Sequence, residues 1–138
     1  MTKDTREGIR QLSGHIMDMD NGKFLVSEQF SRFCREHQID EMWGGLLTSA
    51  GDRPDLYGDE IIRHALFRLL EHICHKRRSE FLSILHGLLL LLQKNSCNPS
   101  LFPAVRQDLI GLGYSPEEAE ECLPGETGYQ AGVPDPGN

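Results

Sequence analysis

The chain has 138 residues, of which 38% are hydrophobic and 25% are charged, with a formal net charge of −7. A single domain of this size can bury a hydrophobic core without metal or disulfide crosslinks. The acidic balance argues against broad binding to DNA or RNA, which depends on many lysine and arginine contacts to phosphates, so we do not expect a nucleic-acid partner.

The termini and the hydrophobic runs carry no targeting or membrane signal. Residues 2–10 (TKDTREGIR) are mostly charged or polar, unlike the apolar core of a signal peptide. The longest apolar run, residues 81–92, has 12 residues, whereas a membrane span needs about 20. We therefore expect a cytoplasmic protein with no membrane partner and no cofactor. Four widely spaced cysteines, predicted to be free thiols in a reducing compartment, are Cys34, Cys74, Cys97 and Cys122.

Hydrophobic spacing predicts three helices in the first part of the chain. The first covers residues 4–18 and is followed by a turn at residues 21–22, where asparagine precedes glycine. Ser27 is placed to cap a second helix over residues 28–37, and Asp40 to cap a shorter third one. The next segment is rich in glycine, proline and aspartate, which predicts a loop.

The stretch of residues 59–94 is the centre of the predicted fold. It contains no proline and a single glycine, Gly87. Its hydrophobic residues form two successive stripes that point in different directions around one helix axis. Two helices that meet near residues 76–78, capped by Asp59 and Ser79, explain this change. The stripes are Ile61, Ile62, Ala65, Leu66, Leu69, Leu70 and Ile73, then Phe81, Leu82, Leu85, Leu88, Leu89 and Leu92.

Two further helices are predicted near the C-terminus. One covers residues 103–110, and Ser115 and Glu118 have the spacing of a capping box that begins a last short helix. Residues 125–138 contain almost no apolar side chain, which predicts a disordered tail or linker. The sequence thus predicts an all-α fold in which residues 1–124 form one domain, a compact bundle of about six helices plus a short C-terminal helix, centred on the helical hairpin.

Two arginine–histidine pairs suggest an enzymatic alternative. Arg32 and His37 are separated by four residues, and Arg68 and His75 by six. This spacing resembles the motif of HEPN-type ribonucleases, all-α proteins that dimerise to assemble an RNA-cleaving site. The resemblance implies that the histidine moves the 2′-hydroxyl proton and that the arginine stabilises the pentavalent phosphate. The family usually has a polar residue after the arginine, where this chain has a hydrophobic one. A solvated helix face explains the same residues.

Cysteine and histidine residues suggest a second alternative, a zinc site. Zinc prefers tetrahedral sets of these ligands, and a spacing of three residues on a helix can aim two side chains at one ion. Neither candidate pair has the compact spacing of a zinc knuckle, and a cysteine at the border of a leucine stripe usually packs as a small apolar residue. We therefore expect no metal. The alternative ligands, from two neighbouring helices, are Cys34, His37, His72 and His75.

The amount of leucine favours a non-enzymatic protein-interaction domain, such as an adaptor, an accessory subunit or a regulatory subunit. Residues 88–92 are consecutive leucines, which place apolar side chains on all sides of a helix. A bundle this small buries only part of such a surface, so we expect a homodimer or another protein to cover the rest. Exposed aromatic residues beside the loop would anchor the partner. The predicted partner-binding residues are Trp43, Tyr57, Leu88, Leu91 and Leu92.

Overall fold

The computed structural model describes residues 3–95 and 99–124, and every regular element within these ranges is helical. The predicted all-α fold with a short C-terminal helix is confirmed. Short 3₁₀ turns at Phe24–Val26, Arg78–Glu80 and Pro99–Leu101 precede α2, α5 and α6. Cys97 and the predicted tail over residues 125–138 lie outside the described residues. The helices are α1 (Lys3–Asp18), α2 (Glu28–Glu36), α3 (Asp40–Gly51), α4 (Asp59–Lys76), α5 (Phe81–Lys94), α6 (Phe102–Gly111) and α7 (Pro116–Cys122).

Two helix starts follow the predicted capping chemistry. The side chain of Ser27 accepts a hydrogen bond from the backbone N–H of Phe30 at the start of α2. At the start of α7, the hydroxyl of Ser115 accepts from the N–H of Glu118, and the Glu118 carboxylate accepts from the N–H of Ser115. Both caps satisfy backbone donors that a helix cannot satisfy internally.

Three predicted caps lie elsewhere in the structure. Asp40 and Asp59 are the first residues inside α3 and α4, where their carboxylates interact favourably with the positive end of the helix dipole. Ser79 lies inside the 3₁₀ turn that leads into α5. The residues just before Asp40 and Asp59, and the residue just after Ser79, take the capping positions without a side-chain hydrogen bond. The residues at those positions are Ile39, Gly58 and Glu80.

The helices α4 and α5, which the sequence predicted to form a hairpin, supply much of the core. The two helices contribute seven and six buried residues, and the chain breaks between them at Arg77, where φ is −130° and ψ is 49°. The backbone of α4 packs closely against α1 and α3, while that of α5 packs against α7. The buried side chains form one continuous hydrophobic cluster. Within the described residues, no helix combines the length and the hydrophobicity that crossing a lipid bilayer requires.

Gly87 allows α2 and α5 to approach each other closely. A Cβ atom at this position would lie 3.1 Å from Cε1 of Phe33, which is tighter than ordinary van der Waals contact. The Phe33 ring also stacks on Phe30, whose own ring meets Trp43 edge to face at 5.1 Å between centroids. This aromatic cluster joins α2, α3 and α5 in the core.

Candidate functional site

The outer face of α4 collects arginine and histidine side chains that the core does not use. Arg68, Glu71, His72, His75 and Lys76 line one shallow groove, which we name the histidine groove. These residues recur every three or four positions, so they lie on the side of the helix opposite its buried stripe. Arg68 and His75, the alternative pair that the sequence suggested, share this face because their spacing matches two helical turns.

Glu71 of the histidine groove forms ion pairs with two arginines. One of its carboxylate oxygens lies 2.7 Å from Nε of Arg6 on α1, and the other lies 3.4 Å from Nε of Arg68. The Glu71 side chain is half-buried between these two exposed arginines. The carboxylate therefore neutralises part of the positive charge and holds the Arg68 guanidinium near the surface of α4.

The His72 imidazole lies in a positive environment. Partial burial lowers its pKa, and the nearby charges of Lys76, Arg77 and His75 lower it further. Both effects disfavour the protonated ring, because burial removes water from the charge and like charges repel it. This end of α4 therefore has a positive potential that an anionic side chain would complement.

A second groove lies between α1, α4 and the loop that joins α3 to α4. We name it the arginine groove. The guanidinium carbon of Arg10 lies 4.4 Å from the centroid of the Phe67 ring, a cation–π contact that keeps the charge at the groove edge. Across it, Arg63 donates to a carboxylate oxygen of Asp18 at 3.0 Å. The lining residues are Arg10, Ser13, Leu56, Glu60, Arg63, His64 and Phe67.

The pKa of the His64 imidazole depends on the charged side chains around the arginine groove. Burial lowers its pKa, and the charges of Arg53, Arg68 and Arg10 lower it further, while only Asp55 opposes them. Asp55 is itself engaged by Arg53, whose Nη2 lies 2.6 Å from its carboxylate oxygen. The potential at this imidazole is therefore positive although the chain as a whole is acidic.

Tyr57 follows Leu56, a lining residue of the arginine groove, in sequence and is 74% exposed. Its backbone N–H donates to Oε1 of Glu60 at 3.1 Å, which ties the loop to the first turn of α4. The neighbouring Leu56 is half-buried in the groove. A largely accessible aromatic ring thus directly follows, in sequence, a residue of the arginine groove.

The other predicted partner-binding residues are mostly covered by the chain itself. Trp43 is buried against Phe30, and Leu88 and Leu92 are 3% and 0% exposed. The expectation that these leucines are left for a partner is corrected, because the bundle buries more of α5 than its size suggested. Leu91 remains partly exposed.

The two arginine–histidine pairs have different surroundings. Arg68 and His75 line the histidine groove together. Arg32 is exposed on α2, whereas the ring of His37 packs on the buried Phe33 at 4.5 Å between centroids. The structure therefore brings only the pair on α4 into a common surface feature.

The alternative zinc ligands are not assembled. Cys34 is fully buried, and burial raises the pKa of its thiol to about 12, which disfavours the thiolate that binds zinc. His72 and His75 instead lie in the open groove on α4. Across residues 3–95 and 99–124, no group of three or more cysteine, histidine or acidic side chains is arranged to hold a metal ion.

Sequence reasoning missed the arginine groove. Arg10, Leu56 and Phe67 come from three separate parts of the chain, and none carries a motif. The one available signal was local: Arg6 and Arg10 are one turn apart on the polar side of α1. Their relation to α4 depends on how the two helices pack.

Comparison of the chain with protein-family models, with curated proteins and with solved structures found no match. The geometry of the described residues is therefore the basis for inferring function.

Proposed function

We propose that this protein is a non-enzymatic interaction domain that binds another protein through the arginine groove and Tyr57. The observation that carries the proposal is the combination of an apolar floor, formed by Leu56 and Phe67, with a rim of arginines and an accessible tyrosine. Tyrosine and arginine dominate the binding energy of many protein interfaces when they close over an apolar pocket.

Two arginines of the groove have partners within the chain. Arg63 is held by Asp18 and by the carbonyl oxygen of Gly14, and Arg10 rests on Phe67. Side chains that already occupy one position lose less conformational entropy on binding. The exposed guanidinium of Arg10 at the groove edge favours a partner that presents carboxylates.

The test compares the two large hydrophobic side chains that are most exposed. Tyr57 and Val26 are 74% and 63% exposed, but only Tyr57 is adjacent in sequence to a residue that lines the arginine groove. Proteins retained by the wild-type chain are identified, and binding of each purified candidate is then measured by calorimetry. We expect Tyr57→Ala to weaken the dissociation constant by about tenfold or more and Val26→Ala to leave it unchanged. Equal affinities for wild type and Tyr57→Ala would contradict the proposal.

A second candidate function is RNA cleavage by a dimer. The specific observation in its favour is that Arg68 and His75 line one groove, as the resemblance to HEPN-type ribonucleases requires. In this interpretation His75 accepts the 2′-hydroxyl proton and the 2′-oxygen forms a bond to the adjacent phosphorus. The bond from phosphorus to the 5′-oxygen of the next nucleotide breaks, and that oxygen takes a proton from water. Arg68 stabilises the charge that develops on the phosphoryl oxygens.

The ribonuclease alternative is tested with purified protein and single-stranded RNA. Cleavage should leave 2′,3′-cyclic phosphate and 5′-hydroxyl ends. We expect His75→Ala to reduce the rate by a factor of roughly 10² to 10⁴, while His64→Ala, in the neighbouring groove, retains it. Cleavage that persists in purified His75→Ala protein would show that the activity is a contaminant.

A further inference from the structure

The outer side of α7 is acidic and faces away from the core. Ala119 and Cys122 are buried, so the remaining side of this short helix presents its glutamates to solvent. Glu120 is partly neutralised by Arg106, whose Nε lies 2.9 Å from its carboxylate. Glu117 and Glu121 form no ion pair within residues 3–95 and 99–124. We name the glutamates Glu117, Glu120 and Glu121 the acidic side of α7.

This acidic surface has a fixed shape. The capping box between Ser115 and Glu118 closes the first turn of α7, and the stacked rings of Tyr114 and Phe81, with centroids 6.2 Å apart, hold the preceding turn on α5. Residues four apart on a helix lie on the same side, so the carboxylates of Glu117 and Glu121 project together.

The arginine groove is complementary to this surface. Arg10 is exposed, and the nearest carboxylate that pairs with it, on Glu7, is 3.9 Å away, which makes a weak solvent-screened contact. Arg10 and Arg63 border the same groove. Arg63 is already paired with Asp18 at 3.0 Å, so Arg10 is the guanidinium that the α7 carboxylates can meet. Ala119 is covered by the chain itself, which leaves charge as the main feature of the contact.

We propose that the arginine groove of one copy binds the acidic side of α7 of a second copy, so that the chains associate head to tail. This inference rests on the proposed function, because it names the partner of the same groove. Both surfaces occur on one chain and share no residue. With a net charge of −7, two copies otherwise repel each other, so local complementarity is needed to bring them together.

A contact between two different surfaces has consequences for assembly. Such a heterologous contact leaves one free groove and one free α7 at the ends of each complex, so further copies add until a ring closes or a filament grows. The mean size should rise with protein concentration. Since the contact is dominated by exposed charges, it should weaken as salt is raised.

Charge reversal tests the pairing directly. Arg10→Glu alters the groove, and the double substitution Glu117→Lys with Glu121→Lys alters α7. Sedimentation velocity at low salt should show concentration-dependent association of the wild type, which each variant weakens by about tenfold or more. Equimolar mixing of the two variants should restore association, because each supplies a surface that complements the other. Matched controls are Arg32→Glu and Glu41→Lys, exposed positions outside both surfaces, which should associate like the wild type.

Two results would overturn the inference. One is a wild-type chain that stays monomeric at every concentration reached, and the other is association that neither reversal weakens. Arg10→Gln removes the charge without reversing it. If this variant has the circular dichroism spectrum of the wild type and associates more weakly, a folding defect is excluded as the cause. Neither result would decide the proposed function, because a groove that does not bind a second copy can still bind another protein, and the comparison of Tyr57→Ala with Val26→Ala measures that binding.

Discussion

Nδ1 of His15 lies 2.5 Å from Oδ2 of Asp108, and this hydrogen bond joins α1 to α6 across 93 residues of sequence. The Asp108 side chain is only 6% exposed. Burial raises the pKa of its carboxyl group, and the hydrogen bond and charge of His15 oppose that rise without cancelling it. The loss of hydration therefore outweighs the partner, as is common for buried carboxylates.

Asp108→Asn should remove one contribution to the pH dependence of the protein's stability. Because the pKa of Asp108 is higher in the folded state, the folded protein binds this proton more tightly than the unfolded chain. The resulting stabilisation is fully present below the ordinary aspartate value of 3.8 and is lost as pH rises through the folded pKa. We therefore expect the free energy of unfolding of Asp108→Asn, relative to wild type, to increase with pH over that window and then level off.

Chemical denaturation at several pH values measures this difference. Asp52→Asn removes a carboxylate at an exposed position and is the matched control for net charge. A pH dependence that is the same for both variants would show that the burial of Asp108 has no part in it.

Gly87 and Gly44 should respond in opposite directions to a larger side chain. At Gly87 a Cβ atom would meet Phe33 at 3.1 Å, whereas at Gly44 nothing lies within 4 Å. Gly87→Val should destabilise the protein by about 1–3 kcal/mol, because it overpacks the contact between α2 and α5. Gly44→Ala should stabilise it by about 0.5–1 kcal/mol, because alanine is the better helix former. Thermal and urea unfolding measure both, and a stabilising Gly87→Val would refute the close approach.

Arg77 and Arg78 are neighbours at the break between α4 and α5, but only Arg77 should matter for stability. Nη1 of Arg77 donates to the carbonyl oxygen of His37 at 2.6 Å, and its Nε donates to Glu80 at 2.9 Å. Arg78 is exposed. We expect Arg77→Ala to cost about 1.5–3 kcal/mol, the range for hydrogen bonds to charged groups, and Arg78→Ala to change the unfolding free energy by less than about 0.5 kcal/mol. Similar costs for the two would contradict the link between α2 and the hairpin.

The thiols of Cys34 and Cys122 should be protected from alkylation in the folded protein. Burial raises the pKa of both to about 12, and the thiolate is the reactive form. Ser115→Ala removes half of the capping box, at a cost of about 0.5–2 kcal/mol to α7. Mass spectrometry after iodoacetamide treatment should then show faster labelling of Cys122 and unchanged labelling of Cys34. Equal acceleration at both would mean that α7 opens only when the whole fold does.

The local features of the chain were determined by the sequence itself. The period of the hydrophobic residues predicted the helices, the break between α4 and α5, and the caps at Ser27 and Ser115, because each depends on neighbours within one or two helical turns. Asp40 and Asp59, which were predicted to be caps, lie one residue inside their helices. A carboxylate is nearly as favourable in the first turn as at the cap, so local chemistry does not separate the two positions.

Only the tertiary structure decided which surfaces are free. The five leucines of residues 88–92 show where α5 is apolar, but not how much of it the other helices cover, and Leu88 and Leu92 are in fact buried. The arginine groove and the bond between His15 and Asp108 likewise join residues that are distant in sequence. Such contacts depend on the packing of helices against each other, to which the hydrophobic effect contributes without direction, so no local pattern specifies them.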